Sequence, residues 1–576
     1  MRRILPFLEW ITDYNKSLFS KDLIAGLTVG IVLIPQGMAY AMIAGLPPVY
    51  GLYASLVPMM AYLFFGTSRQ LAVGPVAMDS LLLAAGLGTL AISSTGDYIT
   101  MALLLAFMVG AVQLVLGVLR MGFLVNFLSK PVISGFTSAA ALIIMFSQLK
   151  HLLGVDITRS NRFDLLLLNA FEKLPETNLY DFVIGFSGIL IIVAVKKFDK
   201  RIPGILFVVI IGIFVVHFLQ LATFGVNIVG EIPTGLPSFK IHEFKIDTII
   251  ELAPIAVTMA LIGYLEAISI GKSMEERTGE DTIDANKELI ALGTSNVLGS
   301  LFQSYVVTGS FSRSAINSQA GAKTPMALFF GAIVVAVTLL FLTPLFYYLP
   351  KAVLASIIMV SVFGLIDLAY PKSLWEYRKD ELFVLVTTFL VTLFAGISEG
   401  ILVGVVLSLV LMVYKSSKPH FAVLGRIDGS DYYKNIDRFG QNVLVRDDLL
   451  IIRFDSQLYF GNKNYFKQQL LKNVTGKGDK LKGVILNAEA ISYIDSSAAQ
   501  MLIRVIEELH EKGLQFYISG ATGPTRDTIF SSGIIDALLK KYLFVQTKEA
   551  VDYFDNMTPL SVLSEKVAYQ NRRNRN

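Results

Sequence analysis

The chain has 576 residues, 54% of them hydrophobic and 16% charged, with a formal net charge of +4, 5 histidines and no cysteine. Soluble domains carry about 25% charged residues, so a soluble globular enzyme is excluded for most of the chain. The small net charge argues against nucleic-acid binding, and the lack of thiols excludes disulfides, thiolate metal sites and cysteine nucleophiles.

The charge is unevenly spread. Of the Lys, Arg, Asp and Glu residues, 40 lie after Lys415, a share of 25%, against 13% in residues 1–415. A membrane domain followed by a water-soluble domain accounts for this division. The histidines form no tight cluster, so neither a zinc site nor any other metal or cofactor is expected.

Residues 1–22 contain Glu9, Asp13 and Lys16 before any apolar run matures, which makes a poor signal peptide and a better cytoplasmic amphipathic arm. At about 20 residues per membrane helix, the transmembrane domain expected over 23–415 holds about fourteen spans. Long apolar runs occupy 101–119, 183–195, 205–221, 326–342, 383–395 and 401–414. Others are broken by Gly or Pro, among them 23–44 with Pro35 and 71–90 with Gly74 and Pro75. Basic residues cluster at Arg69, at Arg120 and Lys130, at Lys196, Lys197, Lys200 and Arg201, and at Lys372, Arg378 and Lys379. With a cytoplasmic N-terminus, each cluster follows an even-numbered span, and both ends of the membrane domain lie inside. The expected location is a plasma or bacterial inner membrane, crossed many times.

Two broken elements match each other. LAVGPVA (71–77) follows the apolar run 52–65, and VVTGSFS (306–312) follows 289–302. Each is a helix, a short β-branched run, a glycine and the start of a new apolar segment, the pattern of a short extended stretch entering a helix. Transporters often consist of two inverted halves whose binding site lies where such interrupted helices meet. A helix that begins inside the membrane aims unpaired N–H groups and its positive dipole end at the adjacent cavity, so the pair suits an anion. The competing reading is that Gly74 and Gly309 only allow close helix packing.

Ionisable groups within spans are expensive and therefore functional candidates. Asp79 stands five residues after Gly74; it can bind a cation, hold a proton or cap Arg313. Glu266 sits in IAVTMALIGYLEAISIG (255–271), with eleven uncharged residues of that segment before it and five after; burial favours the neutral form of a carboxylate, so it can carry a proton, or it can form a structural pair with an arginine. Arg313, four residues after Gly309, falls on the first turn of the second half-helix, where a guanidinium can grip an oxyanion through two N–H donors; the alternative is an arginine snorkelling from a helix end. Gln36 and Tyr40 are four apart beside Pro35 and share one helix face. Their amide and hydroxyl can donate to an oxyanion, or serve as core hydrogen bonds.

After Lys415 the pattern changes to short apolar runs alternating with charged amphipathic stretches. Residues 449–460, 483–488, 514–521 and 543–546 read as strands, and 462–473, 495–512 and 525–539 as helices, which indicates an α/β domain. It contains no phosphate loop, nucleophile elbow or dinucleotide fingerprint. The expected boundaries are a linker over 416–440, the α/β domain over 441–556 and a tail over 557–576. IDSSA (494–498) stands where a strand-end loop enters a helix, with N-capping by Asp495 or Ser496 as the simple reading.

Several long strings resemble the sulfate permease (SulP) family of anion transporters: IPQGMAYAMIAGLPPVYGLYAS (34–55), SRQLAVGPVA (68–77), PVISGFTSAAALI (131–143), VGEIPTGLPSF (229–239) and GSLFQSYVVTGSFSRSAIN (299–317). IDSSA resembles the signature of the STAS domain that ends most members. The resemblance covers nearly the whole chain. It implies a polytopic α-helical membrane protein of fourteen spans as a seven-plus-seven inverted repeat, with two half-helices, a homodimer and a cytoplasmic α/β STAS domain. By the same resemblance, Gln36 and Tyr40 match first-span ligands, Val76 and Ala77 the first half-helix backbone donors, and Phe311, Ser312 and Arg313 the second half-helix. Glu266 matches the acidic residue tied to proton coupling, while Asp79 departs from the usual small or apolar residue. The serine loop implies regulatory phosphorylation at Ser496 or Ser497, although Ala498 replaces the glycine of the phosphorylated regulators.

The expected function is import of sulfate or a similar oxyanion as a proton:sulfate symporter, by alternating access. The chain is not expected to be an enzyme. Sulfate, selenate and molybdate are all tetrahedral dianions that the same donors accept. Rivals are a sodium-coupled bicarbonate or dicarboxylate transporter, which Asp79 keeps open, and, from another class, an anion channel or membrane-tethered regulatory sensor.

Overall fold

The computed structural model describes residues 6–88, 90, 92, 94–123, 129–157, 163–198, 204–241, 245–278 and 283–556. The expected tail over 557–576, and Lys200 and Arg201 of the basic clusters, lie outside them. The chain divides into two units, Met1–Ser408 and Leu409–Asn576.

In the first unit, seven helices among the described residues are long and apolar enough to cross a membrane: Lys16–Ile43, Thr95–Val118, Lys130–Leu152, Leu179–Phe198, Ile246–Glu275, Met326–Phe346 and Glu399–Ser417, the last running into the second unit. Shorter apolar helices include Val49–Phe65, Ala77–Gly88, Gly204–Phe218 and Lys351–Phe363. The first helix begins at Lys16, before the expected residue 23, because the Asn15 side chain accepts from the Ser17 and Leu18 N–H groups and caps it. It also runs unbroken through Pro35, against the expectation of a break. A proline removes one helical hydrogen bond and crowds the carbonyl four residues back, and a membrane helix packed among neighbours tolerates that.

Glycines let these helices touch. A Cβ on Gly30 would meet the Cβ of Val334 at 2.8 Å, and one on Gly110 would meet the Gly293 carbonyl oxygen at 2.7 Å. Helix Lys16–Ile43 therefore lies backbone-close to Met326–Val337, and Thr95–Val118 to Ala285–Leu301. Such contacts drive association where lipid supplies no hydrophobic force.

The two broken elements have the expected form. Val57–Phe65 leads to strand β1 (Val73–Gly74) and then helix Ala77–Gly88; Ala285–Leu301 leads to β2 (Thr308–Gly309) and then helix Phe311–Gln319.

The second unit is built on a seven-stranded sheet of β3 (Phe421–Ile427), β4 (Tyr433–Asn435), β5 (Val443–Leu444), β6 (Leu449–Phe454), β7 (Gly483–Asn487), β8 (Gln515–Ser519) and β9 (Leu543–Phe544). Its order is β4-β3-β6-β7-β8-β9, with β5 also on β3. β6 to β9 run parallel, joined across β6, β7 and β8 by helices Lys463–Lys477 and Ser496–Glu511, and every residue of β7 is buried, as parallel strands covered on both faces require. Residues 416–440, expected as a linker, contain β3 and β4; β3 pairs antiparallel with β6 from Phe421↔Phe454 to Leu424↔Ile451. The helix expected over 525–539 is two helices, Gly523–Ser531 and Ile534–Leu538, broken at Gly533, whose φ of +83° is left-handed.

Candidate functional site

β1 and β2 pair antiparallel, with Val73 opposite Gly309 and Gly74 opposite Thr308. Flanking bonds tie the two half-helices together. Ser310 N–H donates to the Ala72 carbonyl (2.9 Å), Ala72 N–H to Ser314 Oγ (2.9 Å), and Asn317 Nδ2 to the Gln70 carbonyl (3.1 Å). Extended backbone at membrane depth survives only when its polar groups are satisfied by protein, and these bonds provide that.

Sequence inspection missed the residues that hold β2. Asn296 brackets Val307, accepting from its N–H at 2.8 Å and donating to its carbonyl at 3.0 Å, and also donates to Gln113 Oε1 at 3.1 Å. Gln113 Nε2 in turn donates to the Ala260 carbonyl at 3.2 Å, and Thr308 Oγ1 to that of Gly263 at 2.7 Å. The available signal was an amide side chain inside an otherwise apolar helix, Gln113 in AVQLVLG and Asn296 in TSNVLGS.

The helix Phe311–Gln319 is capped by Ser310, whose hydroxyl accepts from Arg313 N–H. The side chains of Phe311 and Ser312 are exposed, so what these residues bring to the site is their first-turn N–H groups. Val76 and Ala77 are buried where the other half-helix begins.

Arg313 is the central feature. Its side chain is fully buried, and its Nε, Nη1 and Nη2 have no hydrogen-bond partner among the described residues. It spans the pair of elements: a Cβ on Gly74, whose φ is +155°, would lie 3.3 Å from Nη2 and 3.7 Å from Leu33. A side chain there would crowd the guanidinium, and the left-handed φ also favours glycine. Leu33, Gln36 and Tyr40 follow helical spacing on one face, so the contact with Leu33 turns that face toward Gly74. Gln36 is 1% exposed with neither amide atom partnered among the described residues, and Tyr40 is buried within electrostatic reach of Arg313 and Glu266. Tyr305, also not foreseen, is fully buried within reach of Arg313 and Asp79, its hydroxyl 3.3 Å from Ser80 Oγ.

The two expected carboxylates also converge. Glu266 on helix Ile246–Thr278 feels Asp79 and Arg313, and its Oε2 is buried without a partner. Asp79 is fully buried, and neither of its oxygens has a partner among the described residues. A buried charge without a partner costs several kcal/mol. A guanidinium and an amide without hydrogen-bond partners among the described residues, placed where two half-helices begin and with carboxyls beside them, can take an anion whose binding depends on their charge. Among the described residues no group of three or more acidic or histidine side chains is arranged to hold a metal.

In the second unit Asp495, rather than Ser496, caps helix Ser496–Glu511, accepting from Ala498 N–H at 2.7 Å and from Phe460 N–H at 2.8 Å. Ser496 is exposed, and Ser497 Oγ accepts from Lys463 Nζ at 2.7 Å.

Comparison with known proteins agrees with this architecture. The model of the sulfate permease family matches residues 19–388 and that of the STAS domain residues 441–550. The chain is 37% identical to sulfate transporter 4.1, chloroplastic, of Arabidopsis thaliana, over 98% of this chain and 84% of the relative. It is 33% identical to high affinity sulfate transporter 2 of Stylosanthes hamata, over 96% and 86%. Among solved structures, the murine Solute Carrier 26 family member A9 anion transporter in its inward-facing state superimposes with a TM-score of 0.88 at 26% identity, covering 96% of this chain and 94% of that one. The transmembrane domain of the cyanobacterial bicarbonate transporter BicA shares the fold, with a TM-score of 0.58 at 22% identity over 69% of this chain and 98% of its own.

Proposed function

Since this chain belongs to the sulfate permease family of membrane transporters, we propose that it imports sulfate together with protons, by alternating access. The observation that carries the reading is Arg313, a fully buried guanidinium with three unpartnered nitrogens between two half-helix N-termini. Sulfate sits against that fork and takes N–H donors from Ala77 and the residue before it, Val76, on one side and from Phe311 and Ser312 on the other. The Gln36 amide and the Tyr40 hydroxyl supply further donors. Sulfate-transporter relatives at 33–37% identity support the choice of anion.

Glu266 is the coupling residue. With no anion bound, its carboxylate balances Arg313; when sulfate arrives, that balance passes to the anion and Glu266 takes a proton, avoiding an uncompensated buried charge. The spans number fourteen, as seven plus seven in inverted repeat. The protein works as a homodimer in a plasma or bacterial inner membrane, with both termini and the STAS domain in the cytoplasm. The STAS domain is an assembly and regulatory module, with Ser496 and Ser497 as phosphorylation sites; the exposure of Ser496 supports access for a kinase.

The test is uptake of labelled sulfate by reconstituted vesicles. An inward proton gradient is expected to accelerate uptake several-fold in the natural protein and to have no effect in Glu266→Gln. Gradient-independent uptake by the natural protein, or intact coupling in the variant, would overturn the symport reading. Saturable counterflow of labelled sulfate separates a carrier from a channel or sensor. A sodium-coupled bicarbonate or dicarboxylate carrier is the second reading, favoured by the buried, unpartnered Asp79; sodium-dependent uptake of those anions would establish it.

A further inference from the structure

Asp79 has no part in the mechanism above, yet its position is well defined. It stands in the first turn of half-helix Ala77–Gly88, fully buried, with both carboxyl oxygens lacking a hydrogen-bond partner among the described residues. A Cβ on Gly263 would lie 3.6 Å from Asp79 Oδ2 and 3.6 Å from the Thr308 side chain. Asp79 therefore sits at the junction of the first half-helix, β2 and the helix that carries Glu266 three residues further on.

The elements packed against this half-helix contribute few other charges to the interior. From helix Ile246–Thr278 come Glu266, which feels Asp79, and Tyr264, whose hydroxyl is turned to the Gly122 carbonyl. Around β2 lie Tyr305 and Arg313, and helix Lys16–Ile43 brings Tyr40. On helices Thr95–Val118 and Lys130–Ser147 the charged groups, Asp97 and Lys130, lie in the first turns, at the helix ends.

We infer that Asp79 is a second proton carrier, so that two protons, one on Asp79 and one on Glu266, accompany each sulfate and the cycle moves no net charge. The inference rests on the symport reading above and adds its stoichiometry. Formal charge supports it. The empty site holds Arg313 as a cation and two carboxylates, a sum of minus one. The loaded site holds Arg313, two neutral carboxyls and a sulfate dianion, again minus one. With one proton the loaded site would cross the membrane more negative by one charge, and with none by two, each costly in a low-dielectric setting.

Location supplies the linkage. An acidic residue in a first helical turn uses the positive end of the helix dipole, roughly half a charge. Sulfate takes the same end, so anion and carboxylate compete for it, and sulfate and a proton on Asp79 bind cooperatively, each favouring the other equally. Each carboxylate forms an O–H bond on the side where sulfate enters and breaks it on the other, giving one sulfate and two protons moved together. A hard metal cation gathers about six oxygen ligands, whereas the oxygens named near Asp79 are its own carboxylate and the Tyr305 and Thr308 hydroxyls, the last already bonded to the Gly263 carbonyl.

The stoichiometry is read in vesicles of the full-length protein, with voltage clamped by potassium and valinomycin, as the sulfate gradient that balances a given pH gradient. For two protons, the balancing gradient changes about 100-fold per pH unit and ignores voltage; for one, it changes about tenfold and responds to voltage. The natural protein is expected to follow the first behaviour, Asp79→Asn the second, and Asp79→Glu the first again. A tenfold, voltage-sensitive slope in the natural protein overturns the inference and leaves symport standing; this measurement decides even where a variant fails to fold. No pH dependence at all sinks the symport reading itself. A balance point set by sodium at fixed pH, and lost in Asp79→Asn, makes Asp79 a sodium site and also overturns the inference.

Discussion

Two glutamates on neighbouring helices have opposite surroundings. Glu288, 1% exposed, accepts from the Tyr62 and Thr67 hydroxyls and from the Thr67 and Ser68 N–H groups, so its carboxylate is fully engaged in holding the chain. Glu266 retains a buried oxygen near Arg313 with no partner among the described residues. Arg313 follows the same logic: what marks it is the lack of a protein partner. Its replacement therefore reaches ligand binding more than folding. Arg313→Ala is expected to weaken sulfate binding by about 3 kcal/mol, roughly a hundredfold, and Arg313→Lys by somewhat less, since the charge is kept and the two-pronged geometry lost. Binding measured by isothermal titration in detergent checks this; natural affinity in the alanine variant would remove Arg313 from the site.

At the level of elements, the half-helices were legible because β-branched residues before a glycine and an apolar run after it are local features, present at both 71–77 and 306–312. Their pairing through β1 and β2 joins residues more than 230 positions apart, which no local pattern records. Pro35 misled for the converse reason: a helix breaker in sequence is tolerated when neighbouring helices support it. Glycines within helices give a test of opposite signs. Gly30→Val places a methyl-bearing carbon against Val334 and Gly331 and is expected to cost about 1–3 kcal/mol, seen as a lower melting temperature in detergent with impaired uptake. Gly476 lies within helix Lys463–Lys477, where an added Cβ would meet nothing within 4 Å, so Gly476→Ala is expected to stabilise the second unit by about 0.5–1 kcal/mol.

On the scale of the whole molecule, each unit closes its own core, and the boundary of the second matters. Cutting at the start of the family match, residue 441, would remove β3 and bare the edge of β6, whose residues are nearly all buried. An unpaired apolar edge strand is an aggregation template. A fragment of residues 419–556 is therefore expected to be soluble and to unfold cooperatively, and one of 441–556 to aggregate, as size-exclusion chromatography and thermal melts would report.

Composition by itself determined the membrane class, the break near residue 415 and the short list of ionisable residues at membrane depth, because hydropathy and charge are properties of consecutive residues. The sequence also carried the family resemblance, and with it the candidate anion site. Only the tertiary structure decided which of those polar groups are already satisfied. Glu288 is met by Tyr62, Thr67 and Ser68, Asn296 by Gln113 and Val307, while Arg313, Gln36, Asp79 and Glu266 are left with unmet hydrogen-bonding atoms in one region. Hydrogen-bond satisfaction depends on partners brought from up to 302 residues away, as between Asp22 and Thr324, and a buried polar group without one is costly to keep.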